Sequence, residues 1–247
     1  MFQKIFLSFL FLLALLDSTL AVPSLGIAKD ESVESSNLVF NSKCTFEKPP
    51  TDNEFLSMIQ AAYAEMRRDS VVKNPAKPAA MIGLSIGNEV YFSSSAKGRR
   101  QIIYEHASWA GGEGTFNPKL DARFNEVTEA LNSCATQESK QHRNQASCGE
   151  IMSTLLWMVD HPNESPKDHN PRVAAWNRKG YLPPCSADNE DDVRWGCASW
   201  TEEMGLTVVQ NIENLPEDFP AGNCETVRLE TCMIVEAEAD EGQVQAN

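Results

Sequence analysis

Residues 148–159, with the sequence CGEIMSTLLWMV, decide the fold of this 247-residue chain. From Ile151 to Val159 apolar residues cover most of the surface that a helix would present, which predicts a helix buried within the core. Pro162 ends this helix. Cys148 and Glu150 fall at its start. Any chemistry that these two side chains perform is therefore expected at the N-terminal end of a buried helix.

A helix and a β-hairpin are predicted upstream. Apolar residues from Phe55 to Met66 recur at helical spacing after Asp52, which we expect to be the N-cap. Residues 81–86 and 89–93 are rich in apolar and β-forming residues, and Gly87-Asn88 between them suits a tight turn. The order is then helix, hairpin, and the buried helix that starts at Cys148.

Strand and helix patterns alternate downstream. The pattern predicts a strand over 172–176, a helix over 197–204, a strand over 206–211 and a further strand over 227–235. This alternation indicates an α/β sandwich with a parallel portion in its sheet.

Three cysteines and one glutamate form a pattern typical of a metal site. Cys148-Gly149-Glu150 opens the buried helix, Pro184-Cys185 follows a short strand-like run, and Cys197 opens the next helix. Three thiolates with a nearby acid that is not a ligand are what a catalytic zinc site requires. Helix N-termini at Cys148 and Cys197 favour the thiolate form. A disulfide between Cys185 and Cys197 remains open as an alternative.

This arrangement resembles the cytidine deaminase-like superfamily, whose signature is His or Cys, any residue, Glu, and later Pro-Cys-x-x-Cys. Eleven residues separate Cys185 and Cys197, where the usual pattern has two. The resemblance implies that Cys148, Cys185 and Cys197 hold zinc and that Glu150 is the catalytic general acid and base. It also implies a three-layer α/β/α cytidine deaminase-like sandwich around a mixed sheet, with insertions.

The three proposed thiolates would leave a zinc centre negatively charged. A positive group or an amide hydrogen bond to sulfur should offset this charge. Arg143 and Arg194 either supply it or are ordinary surface residues, and neither is assigned to catalysis. The four histidines, at positions 106, 142, 161 and 169, show no metal-binding spacing such as H-x-x-x-H. No histidine is therefore predicted as a ligand.

The chain ends predict export and domain boundaries. Residues 1–21 have the pattern of a secretory signal peptide, and we expect a flexible mature N-terminus over 22–43. A deaminase-like domain is expected over 44–235, with an insertion at about 99–146 that either caps the site or decorates the surface. Residues 236–247 have the composition of an acidic, disordered tail. The expected location is extracellular.

The formal net charge of −14 bears on partners. Such a surface repels polyanions, and nonspecific affinity for nucleic acid depends on neutralising phosphates. The densest basic cluster, formed by Lys97, Arg99 and Arg100, is interpreted as a solvated turn. A small-molecule base or nucleoside is therefore favoured over nucleic acid as a partner, and no membrane partner is expected.

The chain has seven cysteines, and an odd count in an exported protein indicates a free thiol, an intermolecular bridge or metal ligation. Without the proposed zinc ligands, Cys44, Cys134, Cys224 and Cys232 remain and can form two disulfides. Three disulfides with one free cysteine fit the same count.

The sequence thus supports three hypotheses. The leading one is a secreted zinc-dependent deaminase, a hydrolase acting on the exocyclic amine of a base, nucleoside or related ring, as a toxin or effector would. The second is a non-enzymatic secreted protein with a deaminase-like fold that binds a partner through the insertion. The third is a disulfide-stabilised secreted protein of unrelated fold.

Overall fold

The computed structural model describes residues 23–33, 35–98, 102–103, 120–135, 142–186, 194–216 and 218–229. The helices in these ranges are α1 (Asp52–Arg68), α2 (Asn125–Cys134), α3 (Gly149–Asp160) and α4 (Cys197–Glu203). The strands are β1 (Ala28–Lys29), β2 (Asn37–Leu38), β3 (Phe40–Thr45), β4 (Ala80–Ile86), β5 (Glu89–Ser94), β6 (Lys97–Gly98), β7 (Arg172–Asn177), β8 (Gly180–Leu182), β9 (Thr207–Val208) and β10 (Asn223–Glu225). The predicted signal peptide and acidic tail lie outside the described residues.

One sheet organises the molecule. Its main path runs β1-β3-β5-β4-β7-β8, all antiparallel, while β10 pairs with β3. Strand β9 pairs with β7 in parallel, which is the one parallel pair of named strands among the described residues. Strands β2 and β6 form a separate antiparallel pair. The predicted mixed α/β class is confirmed, with a sheet that is mostly antiparallel.

The predicted hairpin forms the centre of this sheet. Strands β4 and β5 pair from Ile86 opposite Glu89 to Met81 opposite Ser94. Gly87 turns the chain with a φ of 57°, a value that glycine adopts without a steric cost. Every residue of β4 is buried, so this strand is covered on both faces.

The two faces of the sheet carry different helices. Ile82 and Leu84 of β4 share an apolar cluster with Ile151 and Leu155 of α3. Met81, which points to the other face because side chains alternate along a strand, clusters with residues of α1. Helix α3 is buried from Gly149 to Met158, as the sequence predicted. Each fully buried aliphatic side chain stabilises the fold by about 1.5–3 kcal/mol.

Helix α1 lies very close to the sheet at Gly83. A Cβ atom at this position would lie 2.9 Å from Ile59 and from Phe55, so the absence of a side chain allows the contact. The predicted N-cap of α1 needs correction: Thr51 is the cap, and Asp52 is the first helical residue. Thr51 and Glu54 form a reciprocal capping box. The amide of Glu54 donates to the Thr51 hydroxyl, and the amide of Thr51 donates to the Glu54 carboxylate.

The predicted flexible N-terminus over residues 22–43 is wrong for the described part of that segment. It contains β1, β2 and most of β3, with Leu25 and Phe40 fully buried. Its polar residues also bond inside the fold: the Asn41 amide donates to the Asp30 carboxylate at 2.7 Å, and both are buried. The serines and charged residues of this segment do not give the apolar alternation of a strand. They can still lie in buried strands because their polar groups are hydrogen-bonded inside the fold.

The C-terminal elements also differ from expectation. The predicted strand over 206–211 is the shorter β9, and residues 227 and 228 are not in a strand. The last described strand is instead β10, which pairs Cys224 with Cys44 of β3. The two cysteines form a disulfide, one of the pairings allowed by the cysteine count. Cys134 is a free thiol, and Cys232 lies outside the described residues.

Part of the predicted insertion at 99–146 is described. The expected helix over 121–131 is α2, which follows a 3-10 turn capped by Asp121 and packs against α4. Arg99 and Arg100 of the basic cluster lie outside the described residues. None of the helices in the described ranges combines the length and the apolar character needed to cross a membrane.

Candidate metal centre

The three predicted cysteine ligands converge on one point. The Sγ atoms of Cys148, Cys185 and Cys197 and a ring nitrogen of His142 all lie within 4.8 Å of one another. All three cysteines are free thiols, so the alternative disulfide between Cys185 and Cys197 is not formed. Within the described ranges this is the one group of such side chains with metal-binding proximity.

Two helix starts position two of the sulfurs. Cys148 is the N-cap of α3, in extended conformation, and Cys197 is the first residue of α4. Their side chains are 6% and 0% exposed. The main-chain amides at a helix start carry a partial positive charge, which by itself favours a thiolate.

The third sulfur is held by main-chain contacts with the start of α4. The amide of Cys197 donates to Cys185 Sγ at 3.2 Å, and the amide of Ala198 donates to the Cys185 carbonyl at 2.9 Å. A Cβ atom at Gly196 would lie 2.1 Å from that carbonyl oxygen. Only glycine therefore lets the loop that carries Cys185 approach α4 so closely.

Arg143 also binds the loop that carries Cys185. Its guanidinium donates to the Ser186 carbonyl at 2.7 Å, and its amide donates to the Trp195 carbonyl at 2.8 Å. These contacts join the segment that carries His142 to the segments next to Cys185 and Cys197. Arg143 thus helps to bring the sulfurs together.

The three thiols do not ionise equally. Hydrogen bonds from Cys148 and from Cys197 lower the pKa of Cys185, and His142 adds to this effect. The hydrogen bond with Cys185 raises the pKa of Cys148, while burial, followed by bonds to the other two sulfurs, raises the pKa of Cys197. Without a cation the site therefore favours one thiolate beside two thiols, and a bound metal would balance the charge of the others.

Glu150 lies on the first turn of α3, beside the sulfurs. Glu150 is only 6% exposed, and its carboxyl hydrogen-bonds with the side chain of Cys197. Burial first, and the negative charge of Cys185 second, raise its pKa to about 7. A carboxyl with this pKa can accept and release a proton near neutral pH.

His142 is the member of the cluster that the sequence analysis missed. It is 1% exposed, and its Nε2 atom lies 3.5 Å from Cys197 Sγ. A search for closely spaced histidines could not find it, because its neighbours in space are cysteines. Its one local link to the site is its position six residues before Cys148, a spacing that does not by itself indicate a ligand.

The donor set fits a soft or borderline metal ion. Thiolate sulfur with imidazole nitrogen in a tetrahedral arrangement is typical of zinc sites. With zinc bonds of about 2.3 Å to sulfur and 2.0 Å to nitrogen, a tetrahedral pair of ligands would lie about 3.5 Å apart. The separation of His142 and Cys197 matches this value, and the cluster can hold a metal ion.

Comparison of this chain with models of protein families, with curated proteins and with solved structures gives no match.

Proposed function

We propose that this chain is a secreted zinc-dependent deaminase, a hydrolase that replaces the exocyclic amine of a base, nucleoside or related ring by oxygen from water. One observation carries the proposal. Three segments that are separate in the sequence bring Cys148, Cys185 and Cys197 together beside the buried carboxyl of Glu150. A metal site with an adjacent proton carrier is the arrangement that this chemistry needs.

The order of elements supports the same proposal. Helix α1 is followed by the β4–β5 hairpin and, after β6 and α2, by α3 with the Cys-x-Glu segment; β7, β8, α4 and β9 then follow. Helices α1 and α3 cover opposite faces of the sheet. This order and layering are what a cytidine deaminase-like three-layer sandwich would have, with β1, β3, β8 and β10 as additional strands of the main sheet.

The proposed roles follow from position. Cys148, Cys185 and Cys197 would hold zinc, which when bound supplies a Lewis acid that makes water nucleophilic at neutral pH. Glu150 would take one proton from the attacking water and give it to the ring nitrogen, and would then take the second proton of that water and give it to the departing amine. Its place on the first turn of α3, buried beside the sulfurs, suits this role. The amine leaves as ammonia, and its carbon keeps the oxygen.

The charge of the chain favours a small substrate. A net charge of −14 opposes binding of a polyanion, whereas a base or nucleoside brings no phosphate. The Cys44–Cys224 disulfide, together with the signal-peptide pattern of residues 1–21, favours an exported protein.

A second candidate is a non-enzymatic protein with a structural metal. The observation that favours it is His142, because three thiolates and one imidazole would complete a closed tetrahedral site. Such a protein would keep the deaminase-like fold and act by binding a partner.

Metal analysis and an ammonia-release screen separate these functions. The purified chain is expected to hold about one zinc ion and to release ammonia from a base or nucleoside at low and at high salt alike. Glu150→Gln should keep the zinc and abolish ammonia release, while the exposed control Glu203→Gln keeps both. Zinc without ammonia from any substrate would favour the second candidate. Activity confined to single-stranded oligonucleotides would overturn the small-substrate assignment, and a chain without metal would overturn the proposal.

A further inference from the structure

We propose that His142 is a hydrogen-bond donor to the sulfurs of this centre and not a fourth metal ligand. The inference rests on the proposed metal site and deepens it, because it leaves three protein ligands and makes His142 a positioning residue. The distance from Nε2 to Cys197 Sγ fits both roles, since 3.5 Å is also an ordinary length for an N–H···S contact. The other ring nitrogen separates them.

His142 Nδ1 receives two main-chain hydrogen bonds. The amide of Asn144 donates to it at 3.0 Å, and the amide of Ala146 donates at 3.1 Å. A backbone amide can only donate, so Nδ1 must present its lone pair. In a neutral imidazole the proton is then on Nε2, the nitrogen that faces the sulfurs.

A ligating nitrogen needs the opposite tautomer. Metal-bound histidine binds through a lone pair and usually donates the proton of its other ring nitrogen to a carboxylate, a carbonyl or water. His142 Nδ1 instead faces two hydrogen-bond donors, and neither of them can accept a proton from it. With a proton on Nε2, the ring has no lone pair to offer at the centre, but it can donate to Cys197 and Cys185.

The backbone holds this orientation in place. Gln145 and Ala146 both have positive φ, 55° and 49°, which is uncommon for residues other than glycine. This turn folds the chain back so that the amides meet the ring. Ala146 is fully buried, and the next carbonyl, of Ser147, accepts from the amide of Ala96 at 3.0 Å. The Trp195 ring contacts the imidazole edge to face, with centroids 4.6 Å apart.

This arrangement gives the thiolates what their charge requires. Three thiolates exceed the charge of a divalent cation, and hydrogen bonds to sulfur offset the excess. His142 supplies one donor, and the amide of Cys197 supplies another to Cys185 at 3.2 Å. Three protein ligands, in contrast to four, are typical of catalytic zinc sites.

X-ray absorption at the zinc edge of the wild-type protein tests the inference directly. Three sulfur neighbours without the outer-shell scattering of an imidazole are expected. Imidazole scattering would overturn the role of His142 while leaving the metal site intact. Absence of zinc from the protein would overturn the metal site, the proposed function and this inference together.

Chelator competition with variants gives a second measure. His142→Ala should still bind about one zinc ion, with affinity lowered about 10–100-fold, the usual effect of removing a partner of a ligand. His142→Gln retains a side-chain N–H donor and should recover part of this loss, and His169→Ala, at an exposed histidine outside the centre, should show none. A His142→Ala protein that folds but no longer retains zinc would contradict the inference. If that variant does not fold, the absorption spectrum of the wild type still decides.

Discussion

Replacing Glu150 by Gln is expected to stabilise the metal-free protein at alkaline pH and to leave its stability unchanged in acid. Burial and the charge of Cys185 raise the pKa of this carboxyl from 4.5 to about 7 in the folded protein. Between these two values the folded protein holds a proton that the unfolded chain releases. The free energy of unfolding must therefore fall as pH rises through this window.

The size of the effect follows from the two pKa values. Each unit of difference corresponds to about 1.4 kcal/mol, so the ionised carboxylate destabilises the folded protein by about 3 kcal/mol above pH 7. Glutamine has nearly the same shape and no charge, and it removes this cost. The variant should thus be about 3 kcal/mol more stable than the wild type near pH 8, and equal to it near pH 4.

Urea unfolding between about pH 4 and pH 8, with chelator and without oxygen, measures this difference. Glu203→Gln removes the same charge from an exposed position at the end of α4 and should give a curve parallel to the wild type. Added zinc should reduce the stability that Glu150→Gln gains over the wild type, because a nearby cation favours the ionised carboxylate. If the free energies of unfolding of metal-free Glu150→Gln and wild type depend on pH in the same way, the pKa of Glu150 is not raised by burial. That result would also refute its proton-carrying role.

Three further changes test the start of α3, the disulfide and the expected export. Gly149→Ala places a Cβ atom 2.4 Å from the Ser93 carbonyl oxygen, so α3 must shift; thermal unfolding should show a loss of about 1–3 kcal/mol, and metal analysis a lower zinc content. Serine in place of Cys44 and Cys224 opens a bond across 180 residues, which should lower the free energy of urea unfolding by about 5 kcal/mol while zinc content is retained. Asn163 is exposed and begins an Asn-Glu-Ser sequon, so the chain expressed through a secretory pathway should lose mass on enzymatic deglycosylation, and Asn163→Gln should not.

The sequence predicted the elements whose signals are local. The hairpin around Gly87 is specified by its turn and its flanking apolar residues, and α3 is specified by an apolar run that starts after Cys148. The pairing of β10 with β3 joins residues such as Cys224 and Cys44, which no local pattern relates. Strands this short, with polar residues paired inside the fold, leave little periodicity to read.

The residues of the candidate site also fall into those that local sequence signals predict and one that depends on the tertiary structure. Cys148 and Cys197 could be placed because each begins a helix, and Pro184 indicated a rigid loop before Cys185. The place of His142 depends on a turn with two positive φ angles and on a bridge to Trp195, which are products of the tertiary structure. Its contribution therefore became visible only when the three-dimensional neighbours were known.

The sheet separates two kinds of sulfur chemistry. Cys44 packs in the apolar cluster on the α1 face, whereas the thiols of Cys148, Cys185 and Cys197 gather at the start of α3, on the opposite face. Thiol–disulfide exchange requires a thiolate to reach a disulfide sulfur directly. Because α3 and Cys44 pack on opposite faces of the sheet, we expect the folded sheet to hinder that approach. We therefore expect the chain to complete oxidation of the Cys44–Cys224 pair while the three clustered thiols stay reduced, without exchange between the two groups.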